Sequence, residues 1–291
     1  MKRLAFLTGV LLTACSVDPA RTLAPSVVSA PLSPAFSAGV CDYDRTDASL
    51  TSSGWTRVFD EPFSSNLTQW TTWTGGAFNN ELQHYQASNL QVANGILSIT
   101  ARRETVVGAT TPFNPALSSF DYTSGRIETI THFSGTQKKP DVRMAARLKL
   151  PAGYGMWPAF WSYGDPWPTQ GEIDIVEARG QLPAEYSTAY WYGRRAGVNQ
   201  VQNSAVTIQT GTSLTDCWHV YEVIWSKDVL TFMLDGQVVD VKSGGMIPSM
   251  FRKQQRVTLN LAVGGNFFPN LDPSIIQPGT LLADWVKVFT R

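Results

Sequence analysis

The sequence predicts an all-β domain, a sandwich of two antiparallel sheets, on three observations. Apolar, β-branched runs recur between turn signals, long amphipathic helical periodicity is absent, and Gly, Pro and Asn punctuate the chain at short intervals. The runs fall at 90–101, 143–150, 172–178, 205–209, 218–225, 229–241, 256–263 and 281–289. Asp235-Gly236, between Phe232-Met233-Leu234 and Val238-Val239, reads as a tight hairpin turn. Residues 41–291, about 250 in all, suit one such domain.

The first forty residues read differently. Met1-Lys2-Arg3 followed by an apolar stretch from Leu4 to Thr13 is a secretory signal, too short to span a bilayer as a helix. Leu12-Thr13-Ala14-Cys15 resembles a bacterial lipobox. On that reading residues 1–14 are removed and Cys15 carries lipid; the alternative is an ordinary signal peptide cut nearby. Ser16 after the cysteine resembles outer-membrane sorting. Residues 15–40, rich in Ala and Ser with Pro19, Pro25, Pro31 and Pro34, read as an extended lipidated tether without a core. The expected location is the bacterial cell envelope, lipid-anchored at the outer membrane, or the extracellular space. The lipid is the only expected membrane contact, and a monomer is expected. Export places Cys41 and Cys217 where disulfides persist, and a bridge between them and two free buried thiols are both open readings.

Charge excludes some partners. The chain carries 23 basic and 23 acidic residues, so no net field steers nucleic acid or anionic polymers, and a neutral polysaccharide fits. His84, His132 and His219 lie in no zinc-protease spacing, and there is no Gly-x-Ser-x-Gly elbow, P-loop or Gly-x-Gly-x-x-Gly run.

The chemistry concentrates at Gly171-Glu172-Ile173-Asp174-Ile175-Val176-Glu177, three carboxylates in six residues of a chain that is 16% charged. Ile173, Ile175 and Val176 favour a strand, whose side chains alternate faces, so Glu172 and Asp174 share one face. Strict alternation sends Glu177 to the other. A β-bulge at Ile175-Val176 brings all three acids to one side, and bulges are over-represented beside active sites. Crowded, dehydrated carboxyls shift upward in pKa and divide into an ionised nucleophile and a protonated acid. The competing reading is a solvated outer face. Upstream, Trp157 and Trp161 stand four residues apart on one strand face, among 10 Trp in the chain. Indoles beside carboxylates suit pyranose rings, with a place in the core as the alternative.

These residues resemble glycoside hydrolase family 16, and within it the laminarinases, endo-β-1,3-glucanases. The likeness rests on Trp157-Pro158-Ala159-Phe160-Trp161 with Glu172-Ile173-Asp174-Ile175-Val176-Glu177. Further matches, in order, are Phe59-Asp60-Glu61-Pro62-Phe63, Asn79-Asn80-Glu81-Leu82-Gln83, Thr123-Ser124-Gly125-Arg126-Ile127, Arg143 to Pro151, Asn260 to Asn266 and Asp284-Trp285-Val286.

The resemblance implies a concanavalin-like jelly roll whose concave face is an open cleft, admitting the middle of a polymer. It implies Glu172 as nucleophile, Glu177 as general acid/base and Asp174 as a partner holding one of them. Retaining enzymes need the two carboxyls about 5 to 5.5 Å apart. It implies Trp157 and Trp161 as stacking platforms, with Asn80 and Arg143 as donors to sugar hydroxyls. The alternative for Arg143 is an edge-strand charge, and Glu81 is open in the same way. No cofactor is implied for catalysis. A structural calcium is implied at the Asp60-Glu61 position, Gly95 and Asp284, with oxygen ligands that suit it. Two departures bear on substrate choice: Tyr190 stands about where laminarinases often carry a histidine, and Asp141-Val142 replaces Tyr-Gly before Arg143. Agarases, other galactan hydrolases and mixed-linkage glucanases share the motif, and a glucan-binding protein without activity is the rival of another class.

Overall fold

The computed structural model describes residues 41–291. The predicted signal, Cys15 and the tether lie outside the described residues. Two sheets stack face to face. One has ten strands, with the path 237–243, 229–234, 219–225, 142–149, 279–290, 96–111, 114–124 and 83–85, and strands 56–61 and 90–93 pairing alongside. The other has seven, in the order 206–209, 185–191, 172–177, 156–163, 256–263, 126–129 and 70–72. Nearly all pairings are antiparallel; 83–85 runs parallel to 114–124. The α-helices among the described residues span four or five residues each. This is the two-sheet sandwich expected from the apolar runs, in the jelly-roll form that the resemblance implies.

Alternation decides what each face of the seven-stranded sheet does. Met156 and Phe160, Ile173 and Ile175, Tyr186 and Tyr190, and Val257, Leu259, Leu261 and Val263 point inward and join the main core. Trp157 and Trp161, Glu172 and Asp174, and Thr258 and Asn260 alternate with them and face outward into the cleft. Asp235 (φ 50°) and Gly236 (φ 76°) adopt the left-handed geometry of a two-residue hairpin.

The outer face of the ten-stranded sheet is covered too. The segment from Tyr43 to Trp55 lies across it, packing Leu50 and Trp55 against Ala145, Val220, Trp285 and Phe289. Polar bonds fasten this strap: Arg45 to Glu222 at 2.7 Å, Trp285 Nε1 to Asp44 Oδ1 at 3.1 Å, and Arg147 Nε to the Tyr43 carbonyl at 2.8 Å. A Cys41–Cys217 disulfide fixes its start.

Candidate active site

The strand Glu172–Glu177 contains the bulge. Against 156–163, Asp174 pairs with Trp161 and Glu177 with Ala159; against 185–191 the same residues pair with Ala189 and Ser187. Three steps on the catalytic strand therefore match two on each neighbour. Ile175 and Val176 both turn into the core, with 1% and 0% exposure, and Glu177 emerges on the face of Glu172 and Asp174. Two adjacent apolar side chains drive the inserted residue inward, which is why the hexapeptide folds this way.

Each acid receives an indole N–H. Trp167 Nε1 donates to Glu172 at 2.8 Å, Trp191 Nε1 to Asp174 at 2.9 Å and Trp157 Nε1 to Glu177 at 3.1 Å. Burial, then the nearby Glu177 charge, pushes Glu172 up to about 8, against the pull of Trp167 and Arg126. Burial and Glu172 hold Asp174 well above the carboxylate range. Burial holds Glu177 well up too, followed by Asp174 and then Glu81 as added negative neighbours. Three carboxyls this close share protons. Arg126 near Glu172 and Arg179 near Glu177 each pull part of the way back toward the ionised form, so the three titrate as one coupled set.

A second polar chain runs beside them. Trp161 Nε1 donates to Asn260 Oδ1 at 2.7 Å, Asn260 Nδ2 to the Tyr85 hydroxyl at 3.0 Å, and Tyr85 to Glu81 at 3.1 Å. Gln83 also donates to Glu81, at 2.7 Å. Glu81 thus stands at the Glu177 end of the site. Asn80 lies exposed on the adjoining rim with φ 54° and donates to Asn266 at 2.8 Å. Trp157 and Trp161 both face the cleft, neither as a bare platform: the first stacks under Phe267 at 4.7 Å and the second on Tyr163 at 4.8 Å.

Arg143 corrects its predicted role. It sits in the ten-stranded sheet on the face away from the cleft, donating to the Leu50 carbonyl at 3.1 Å, 3.3 Å from Glu222 and over the Trp55 ring. Strand parity sends it under the strap. An arginine that does lie in the cleft is Arg126: its guanidinium bonds Glu128 at 2.6 Å, lies 4.0 Å over Trp73 and 4.8 Å over Trp161, and its charge reaches Glu172. The Thr123 to Ile127 match contained it. Trp167, Trp191, Asn260 and Tyr85 were likewise missed; Trp167-Pro168 just before Glu172 was the legible signal, whereas Trp191 and Tyr85 come from distant segments.

The departures fall outside the cleft. Tyr190 is part of the core, Val142 is buried there, and Asp141 binds Ser226 and Arg291. The calcium donor set does not fit either. Asp284 is engaged by Arg147 at 2.6 Å, the Asp60 carbonyl accepts from Gln69, and both Glu61 oxygens accept N–H groups, from Phe63, Gln69 and Trp70. A cation there would have to displace a guanidinium. Gly95 closes the turn between strands 90–93 and 96–111 with φ 77°.

Three comparisons bear on this constellation. The profile of Glycosyl hydrolases family 16 matches residues 72–245. Glucan endo-1,3-beta-glucosidase A1 of Niallia circulans is 33% identical over 236 residues, 75% of this chain and 33% of its own length. Glucan endo-1,3-beta-glucosidase of Cryptopygus antarcticus is 32% identical over 235 residues, 73% of this chain and 82% of its own. Thus the chain spans about a third of one curated relative and most of another. The solved endo-beta-1,3-glucanase of Pyrococcus furiosus superposes with a TM-score of 0.66 at 30% identity, covering 81% of this chain and 94% of that one. A bulged acidic strand in a jelly-roll cleft, with these relatives, means that the chain belongs to glycoside hydrolase family 16.

Proposed function

We propose that this glycoside hydrolase cleaves β-1,3-glucan internally by double displacement with retention. The observation that carries the proposal is the bulge, which turns Glu177 to the side of Glu172. Ionised Glu172 attacks the anomeric carbon while Glu177 delivers its proton to the departing glycosidic oxygen. The covalent glycosyl-enzyme then yields to a water from which Glu177 takes a proton back. Asp174, bonded to Trp191 and adjacent in charge to both glutamates, takes up the change in field as that proton comes and goes. The indole N–H groups on Glu172 and Glu177 fix the direction of each carboxyl without adding charge. The two glucan endo-1,3-beta-glucosidases favour a β-1,3-glucan over agarose or lichenan. For the N-terminal region the proposal is a lipid anchor at Cys15, read from its sequence alone.

Reducing-sugar release on laminarin, lichenan and agarose tests the substrate, with laminarin expected to be cut fastest. Glu172→Gln should lower kcat by at least about 10³-fold with glucan binding kept; unchanged hydrolysis by that variant overturns the assignment. Early-time NMR of the product anomers should show β before mutarotation.

A further inference from the structure

Beyond the acids, the cleft continues into a cavity of about 220 Å³ walled by Trp73 and Phe113, with Glu128, Tyr163, Asp165 and Arg256 around it. That is smaller than the ~300 Å³ at which pockets begin to hold drug-sized molecules, and it suits one ring. Its charges cancel: Arg256 pairs with Asp165 and lies 3.4 Å from Glu128, which also binds Arg126. A neutral, hydroxyl-rich ligand fits such a lining better than an ion does.

The cavity is continuous with the catalytic strand. Tyr163 pairs directly with Glu172, Arg256 lies one strand further, Glu128 on the next, and Thr71 and Thr72 on the edge strand. At ~4.8 Å per strand, the cavity centre is roughly 10 to 14 Å from Glu172, two to three sugar units along a bound polymer.

One wall comes from outside the seven-stranded sheet. Strands 96–111 and 114–124 form a long hairpin from the other sheet, and its tip carries Phe113, 73% exposed, edge-on to Trp73 at 5.6 Å. The tip is held firmly. Gly76 N donates to the Ala109 carbonyl at 2.9 Å, and the Thr111 hydroxyl accepts from the backbone of Phe113 and Asn114. Gly75, at φ 132°, packs closely on the tip, where a Cβ would meet the Pro112 ring at 3.0 Å. Phe78, 55% exposed, stands edge-on to the same indole at 6.4 Å, so the two exposed phenyls and Trp73 form one aromatic surface.

We propose that this cavity is a distal hexose subsite, in which a glucosyl unit two or three positions from the scissile bond packs on Phe113 and bonds the exposed carboxyl of Asp165. The inference rests on the glucanase reading above. Its consequence is a preference for chains long enough to reach the hairpin.

The test is kcat/KM for laminari-oligosaccharides from trisaccharide to heptasaccharide, with wild type, Phe113→Ala and Phe113→Trp. For Phe113→Ala the longest substrates should lose about tenfold, the shortest nothing, and the tryptophan should restore the loss. An equal loss at every length, or none at any, overturns the subsite. The exposed position keeps the melting temperature as a folding control. Should wild type cut no laminari-oligosaccharide, the glucanase reading fails separately. Quenching of tryptophan fluorescence by oligosaccharides of the hydrolysed polymer, again against length, then decides the cavity's role.

Discussion

Glu172 is the residue whose protonation sets the working pH. Its carboxyl is held at about 8, so the fraction ionised rises through the neutral range rather than near the ordinary glutamate value. The acid limb of kcat/KM should therefore lie above pH 5, and hydrolysis at pH 4.5 should be a small fraction of the maximum. A profile from pH 4 to 10 measures this, and a maximum near 4.5 contradicts it. Stability follows with a definite sign. A carboxyl whose folded pKa is raised binds its proton more tightly folded than unfolded. The folded state therefore loses stability as pH climbs from 4.5 to about 8. Glu172→Gln removes that loss. It should raise the melting temperature at pH 8 by several degrees, at about 2 to 4 °C per kcal/mol, with the gain shrinking below pH 4.5. Calorimetry of both proteins at two pH values checks it. The site was partly legible at this scale. The acids and Trp157 and Trp161 announce themselves by their spacing, but an indole such as Trp191 reaches Asp174 only once two strands pair.

At the scale of the element, parity governs the catalytic strand. Side chains alternate with period two, so an insertion or deletion of one residue exchanges faces unless a bulge absorbs it. Removing Val176 leaves Glu-Ile-Asp-Ile-Glu, in which simple alternation keeps all three acids in the cleft. That variant loses one buried side chain, about 1.5 to 3 kcal/mol, yet should retain measurable hydrolysis. Adding one alanine after Val176 should drive Glu177 toward the core and reduce kcat by more than about 10³-fold. Hydrolysis assays on the two variants, with circular dichroism to confirm folding, separate these outcomes. The same rule explains what reading elements from the sequence achieved. Runs at 143–150, 172–178 and 256–263 are strands within a residue or so of their predicted limits. Strand 114–124 escaped because its outer part, Asn114 to Leu117, is exposed and carries a proline and no β-branched residue, built as an arm and not as a core layer. Arg143 escaped for a related reason. Sequence order gives a residue's parity within its strand but not which of two sheets the strand joins, and that choice placed it beneath the strap.

For the whole molecule, the sandwich was legible from alternation, since one face of each sheet had to find another apolar face. What covers the outer face of the ten-stranded sheet was not. Tyr43 to Trp55 has no periodicity that marks it as a strap, and its hold depends on Arg143, Arg147 and Glu222 arriving from elsewhere. The disulfide closing this segment joins residues 176 positions apart. Loop-closure entropy for so long a span corresponds to about 5 kcal/mol, less any structure kept in the unfolded chain. Cys217→Ser should lower the melting temperature by roughly 5 °C or more, with kcat on laminarin at 25 °C little changed, because strap and cleft occupy opposite faces. That opposition has a mechanical consequence. Any pull transmitted through the chain ahead of Cys41 meets a covalent bond to residue 217 before it can peel a single hydrogen-bonded strand. Such a load enters at the rear of the sandwich, on the side away from the groove.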